Sequence, residues 1–418
     1  MAAQKSGSKA KTGKKQAAKK PKAAKKPKAK SKSKAKTAST APAKKAASKK
    51  PTTAKATPAA KKKPAAKKKA ATKKAATKQK GPAKLTVVVT GPSGDIGVAA
   101  LRALDGSPKV GKVIGMARRP FDPAAHGLSE KVVYQQGDVL DRGSVDALVA
   151  DADVVMHLAF IIVGDPREAQ RINLEGSRNV FEATVAAGAK RLVYTSSVAA
   201  YGFHADNPQP LTEEVPTRGS ESFYYSAHKA ELEAVLDEVL AGSSVDAYVF
   251  RPCIVAGAGA ITLIETLVSM LPLYGQLKLA RRVLDQVPFL GPVLPDPGVD
   301  FQLVHTDDVA AALLAGVEGR GEPGRYNLAG PGAMSVTRMS RALGWWSVPV
   351  PGTAVGALDE MLARLPGMPA ESAWLTAFRL PVLMDTRKAR EKLGWRPGWD
   401  AQSTLRETIS GAREAGAL

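Results

Sequence analysis

The stretch KLTVVVTGPSGDIGVAALRAL, residues 84–104, sets a β-branched run directly before three glycines and a helical pattern. Leu85 to Val89 suit a strand buried on both faces, and the residues after Gly97 have helical spacing. Between them Gly91, Gly94 and Gly97 follow the spacing G-x-x-G-x-x-G. A turn of this kind lets the backbone approach a pyrophosphate, with the anion resting on the N-terminus of the following helix. The glycines alone specify little; placed after a buried strand and before a helix they point to dinucleotide binding.

The chain then alternates. KVIGMA (112–117), KVVYQQGD (131–138), DVVMHLA (153–159), RLVYTSS (191–197) and YVFRPCIV (248–255) read as strands. Helical patterns fall near residues 143–150, over 169–188, and from the start of YYSAHKAELE (224–233). This repetition predicts a Rossmann-like, doubly wound α/β fold with a parallel sheet and helices on both faces. Ligands on such sheets sit beyond the C-terminal ends of the strands, where Gly91, Asp138, His157, Ala159, Ser196 and Ser197 fall. Within YYSAHKAELE, Tyr225 and Lys229 are four apart, so a helix puts them on one face.

Ahead of this lies a segment of a different kind. Residues 1–84 carry 31 lysines and neither arginine nor acid, and since the whole chain is +24, residues 85–418 carry −7. Residues 1–83 are almost entirely Lys, Ala, Pro, Ser and Thr in degenerate repeats such as AAKKPKAAKKPKAK. Without apolar surface to bury, this tail is expected to be disordered in isolation. Its charge density suits sequence-blind, salt-dependent binding of nucleic acid, and its lack of aromatics argues against base stacking. A solubilising tail with no fixed partner is the plainer alternative. The single cysteine, Cys253, rules out an internal disulfide and a Cys-based zinc cluster, and no metal site is expected. There is no signal-peptide pattern and no spanning apolar run, so a cytoplasmic, nucleoid-associated protein is expected.

The motifs of residues 85–418 resemble the extended short-chain dehydrogenase/reductases, the NAD-dependent epimerase/dehydratase family. TGPSGDIG, GDVLD, HLA, INLEGSRNVFEA, VYTSSVAAYG, YSAHK, RPCIVAGAG, LVHTDDVAAA and DTRKAREKLGWRP fall in family order. The resemblance implies Ser197 as catalytic serine with Ser196 as the neighbouring alternative, Tyr225 as acid/base, and Lys229 as its partner, bonding the nicotinamide ribose. It implies that Gly91, Ser93, Gly94, Asp95, Ile96 and Gly97 cradle the pyrophosphate and that Asp138 and Val139 border the adenine. Ala159 and Pro252 would line the nicotinamide side, while Asn173 and Asp308 hold the scaffold. In this arrangement a nearby ammonium is expected to lower the phenol from its ordinary value of about 10. The tail resembles those of linker histones and the lysine-rich extensions of some bacterial nucleoid proteins.

Two departures bear on specificity. Where NAD-preferring members carry an acid after the second strand, this chain has Ala117 followed by Arg118 and Arg119, which suits a 2′-phosphate and favours NADP over NAD. Val198 and Ala199 follow Ser197 where dehydratases and decarboxylases place a carboxylate, so simple dehydrogenase/reductase or epimerase chemistry is expected. The expected organisation is a tail (1–83), a nucleotide-binding domain (84–250) and a smaller substrate lobe (251–418) with residues near 300–328 returning to the first domain. The Leu-, Val-, Ile- and Pro-rich lobe and AFIIV (159–163) fit an apolar alcohol or ketone; Lys278, Arg281 and Arg282 would instead suit a nucleotide-sugar diphosphate. The leading expectation is an NAD(P)-dependent oxidoreductase, against a nucleotide-sugar 4-epimerase retaining NAD and, from another class, a DNA-associated NAD(P) sensor. The family implies a homodimer built on residues 169–188 and 224–240.

Overall fold

Val87, Val88 and Val89 of strand β1 (Leu85–Thr90) are fully buried, which explains an apolar run that does not alternate. The elements that follow are α1 (Asp95–Gly106), β2 (Val110–Ala117), β3 (Val132–Gln136), α2 (Arg142–Val149) and β4 (Val154–His157). Next come α3 (Pro166–Gln170), α4 (Ser177–Ala186), β5 (Arg191–Thr195), α5 (Tyr224–Leu240) and β6 (Asp246–Pro252). Helix α6 (Thr306–Val317) and strand β7 (Gly324–Leu328) complete the layer. The computed structural model describes residues 84–162, 165–221, 223–269, 292–351 and 380–418; the basic tail, Val163, Lys278, Arg281 and Arg282 lie outside them.

The seven strands form one parallel sheet in the order β7-β6-β5-β4-β1-β2-β3. Winding reverses between β1 and β4, so a crevice opens at their C-terminal ends, where Thr90 pairs in register with His157. Apolar clusters fill both faces: Leu101, Leu104, Tyr248, Phe250 and Leu313 belong to one, and Leu148, Phe181, Leu192 and Leu232 to the other.

Two elements differ from the sequence reading. Residues 169–188 are not one regular helix, because Arg171–Gly176 form a π turn between α3 and α4. Asn173 in that turn is pinned to the backbone of Ile161, accepting from its N–H at 2.8 Å and donating to its carbonyl at 3.0 Å. The turn also brings Gly176 so close to Val139 that a Cβ there would lie 2.6 Å from a Val139 methyl. The strand expected over 248–255 ends at Pro252, which has no N–H to extend the ladder, and Ile254–Ala256 pair instead with Leu303–His305.

The described part of the lobe has its own core of Ile264, Phe301, Leu303, Met339, Leu405 and Ile409. Return to the main core goes beyond residues 300–328, since Met384, Ala389, Leu393 and Trp395 also join it. Asp308 acts as a local clamp, its carboxylate accepting from the N–H groups of Gly398 (2.7 Å) and Trp399 (3.1 Å). Among the described residues, no helix is long and apolar enough to cross a membrane.

Candidate active site

The glycine loop joins β1 to α1, and its outer two glycines are dictated by the protein itself. Gly91 has φ +74°, and a Cβ on it would stand 2.8 Å from the Ala159 nitrogen; one on Gly97 would stand 2.5 Å from the Gly91 and Pro92 carbonyl oxygens. Gly94 is different: a Cβ there would meet nothing nearer than 3.6 Å. Its small size therefore leaves room for something other than the chain, directly at the N-terminus of α1. This is the cradle a pyrophosphate would need, so the loop fits a dinucleotide. Ser93 is exposed beside it, Ile96 packs inward, and the Asp95 carboxylate is drawn aside by the Thr262 hydroxyl at 2.5 Å.

At the end of β4 the Thr90 hydroxyl meets His157 Nδ1 at 2.7 Å, and Nε2 meets the Ser177 hydroxyl at 2.9 Å. Burial, with Lys229 adding to it, depresses this imidazole to about 3, so it is a neutral tie between strands and helix. Ala159, two residues on, lies against Gly91. Pro252 is buried at the end of β6, opposite Leu328.

The two candidate serines at the end of β5 have different partners. Ser196 donates to the buried carboxylate of Glu233 at 2.6 Å. Ser197 caps the short turn Val198–Tyr201, accepting from Ala199 N–H at 3.1 Å, and its hydroxyl is hydrogen-bonded to Tyr225. Tyr225 stands in the first turn of α5, which Ser226 ties to the Ala199 carbonyl at 2.6 Å. One turn further, Lys229 donates to the Thr195 carbonyl at 2.8 Å and lies 3.7 Å from the centre of the Phe160 ring.

The expected acidification of the phenol is not what this geometry produces. Burial pushes Tyr225 up to about 12, against the smaller opposing effect of the Ser197 hydrogen bond and with Tyr224 adding to the rise. Burial also lowers Lys229 to about 7, with Glu233 opposing. Both side chains sit among aromatic rings: Phe160 meets Tyr225 edge-on at 5.4 Å, Phe223 lies at 5.7 Å, and Lys229 is 5.2 Å from the Tyr194 ring centre. Desolvation is the largest effect on both groups, and it penalises the charged form of each.

Beyond the end of β3, Asp138 turns its carboxylate to Leu140 N–H at 3.0 Å, and Val139 is buried against the π turn. Arg118 and Arg119 follow the end of β2; Arg118 pairs with Glu168 at 3.1 Å, both largely in solvent, and the Arg119 carbonyl accepts from the Tyr134 hydroxyl. Three contributors escaped the sequence reading. Phe160 was legible only as apolar bulk, and Arg325 not at all, since the strand β7 that carries it was not read from the sequence. Glu233, one turn beyond Lys229, could have been found as an acid on the same helical face.

The sheet order, the glycine loop at the switch point and the side chains around it define a nucleotide-binding α/β protein of the doubly wound class. A family model for the NAD dependent epimerase/dehydratase family matches residues 87–329, and the chain belongs to that family. An uncharacterized protein of Sinorhizobium fredii, y4nG, is 27% identical over 340 residues, 78% of each chain. Human 3 beta-hydroxysteroid dehydrogenase type 7 is 34% identical over 152 residues, covering 34% of this chain and 39% of its own. The crystal structure of UDP-glucose 4-epimerase from Thermotoga maritima shares the fold with a TM-score of 0.58 at 19% identity, over 79% of this chain and 99% of that one.

Proposed function

We propose that the protein is an NAD(P)-dependent reductase of apolar secondary ketones, working through Ser197, Tyr225 and Lys229. The observation that carries this reading is the Ser197–Tyr225 hydrogen bond inside an aromatic wall of Phe160, Phe203, Phe223 and Tyr224. A phenol held near 12 keeps its proton at neutral pH, which suits it to donate to a carbonyl oxygen as that oxygen gains charge. Ser197 supplies a second hydrogen bond to the same oxygen. Lys229, in its protonated form, brings positive charge beside the pair, and the rings exclude water, so each interaction acts in a poorly screened environment. When bound, the nicotinamide supplies the hydride. Gly91, Gly94 and Gly97 would hold its pyrophosphate, and Arg118 and Arg119 favour a 2′-phosphate.

Among the described residues Tyr225 is flanked by the rings of Phe160 and Phe223 as well as by Ser197, an apolar surround that favours a ketone without a diphosphate; Lys278, Arg281 and Arg282, which would suit a nucleotide sugar, lie outside the described residues. A cofactor-linked absorbance screen of apolar ketones and alcohols beside UDP-sugars is the direct test. Oxidation of NADPH faster than NADH by bulky apolar ketones is expected; interconversion of UDP-sugars with tightly retained NAD would establish the epimerase in its place.

The lysine-rich tail is read as an arm for polyanions. Each lysine meeting a phosphate releases about one counterion, so full-length protein should bind duplex DNA with an apparent constant falling steeply with salt. A protein beginning at Pro82 should lose that binding. Equal affinities for the two would remove nucleic acid from the account.

A further inference from the structure

Beneath the site, four donors converge on one carboxylate that is 1% exposed. Arg251 of β6 reaches Glu233 through Nε at 2.8 Å and Nη2 at 2.5 Å, Arg325 of β7 through Nε at 2.9 Å, and Ser196 at the end of β5 through its hydroxyl at 2.6 Å. Arg325 is shared with Asp237 at 2.7 Å, and Arg251 also donates to the Tyr201 hydroxyl at 2.8 Å. Glu233 thus joins three neighbouring strands through a side chain of α5, on the helical face that carries Tyr225 and Lys229. A purely structural pair would be complete with Arg251 alone. The tether to Ser196 and the place beside Lys229 extend it to the residues proposed above for proton transfer.

We propose that Glu233 is a positioning residue of this site: its carboxylate fixes the Ser196–Ser197 end of β5 against Arg251 and Arg325, and it supplies the counter-charge for Lys229. The inference rests on the reading of Ser197, Tyr225 and Lys229 given above. The groups facing Lys229 are Tyr225 and Glu233 on its own helix, His157 of β4, Tyr194 and the Thr195 carbonyl of β5, and the Phe160 ring. His157 is neutral, and burial holds Tyr194 well above the ordinary phenol range, so Glu233 is the buried anion among them. Burial pushes Glu233 upward, but Arg251, Ser196 and Arg325 more than offset it and keep it ionised.

The test uses two substitutions with opposite expected effects. Glu233→Gln removes the counter-charge, so the ammonium of Lys229 is lost at lower pH. Loss of one close, poorly screened charge should move the alkaline limb of turnover down by about one pH unit. Relative to wild type, turnover should then fall about fivefold at pH 7 and change little at pH 5.5. Arg325→Met removes a competing cation from a half-buried position and leaves the Arg251–Glu233 pair intact, so it should move the same limb upward. A readout independent of turnover is the Lys229 resonance in a 13C-lysine NMR titration of the full chain, assigned with Lys229→Met. It should titrate lower in Glu233→Gln and higher in Arg325→Met. If Glu233→Gln does not fold, Arg325→Met decides alone. An unmoved Lys229 titration in the folded variants, or a uniform loss of rate across pH, overturns the proposal. Full activity of Tyr225→Phe would overturn the site reading and leave the NMR result standing.

Discussion

Replacing Tyr225 by Phe should lower turnover about a thousandfold, within the range a positioned general acid contributes, and leave cofactor affinity within about twofold. The substitution deletes one hydroxyl and keeps the ring that Phe160 and Phe223 pack against, so the local fold has no reason to change. What is lost is the proton donor and the hydrogen bond with Ser197. Steady-state rates with the best ketone, together with fluorescence titration of the reduced cofactor, measure both parts. Turnover within tenfold of wild type would mean that another group delivers the proton.

Lys229→Met should lose turnover and gain stability. Lys229 is 4% exposed, and its folded value of about 7 lies below the ordinary 10.5. Between those values the unfolded chain binds more protons than the folded one, so stability rises with pH across that window and the cost of burial is complete below about 7. A depression of this size corresponds to about 5 kcal/mol, of which the unpaired Thr195 carbonyl left by the substitution takes back about 1–3 kcal/mol. A net gain of about 2–4 kcal/mol is expected at pH 6, turning to a loss by pH 10.5. Urea unfolding at both pH values checks it. A variant less stable than wild type at pH 6 would show that Lys229 is held by its contacts at no net cost. Retention of so expensive a group is itself an argument that it serves the reaction.

Strands β1 to β6, the start of α5 and the glycine turn were legible because they depend on local pattern, whereas the order of the strands in the sheet came from the tertiary structure. Gly91 and Gly97 are required by contacts made within a few residues or at the adjoining strand end, and Tyr225 and Lys229 share a face by helical periodicity alone. The π turn at Arg171–Gly176 was not legible, because it answers to Ile161 and Val139, which reach it from other elements. The end of the sheet strand at Pro252 had a local signal in the missing N–H, but the new partner of Ile254 lies about fifty residues away.

The amino-acid sequence by itself determined the doubly wound class, the place of the dinucleotide loop and the residue types at the end of β5 and the start of α5, since periodicity and turn chemistry are properties of neighbouring residues. Only the tertiary structure decided which serine meets the phenol, that Glu233 stands among Ser196, Arg251 and Arg325, and that Tyr225 is pushed up instead of down. Those outcomes are set by desolvation and by partners from distant strands, and the cost of removing a charge from water exists only once Phe160, Tyr194 and Phe223 have closed around it.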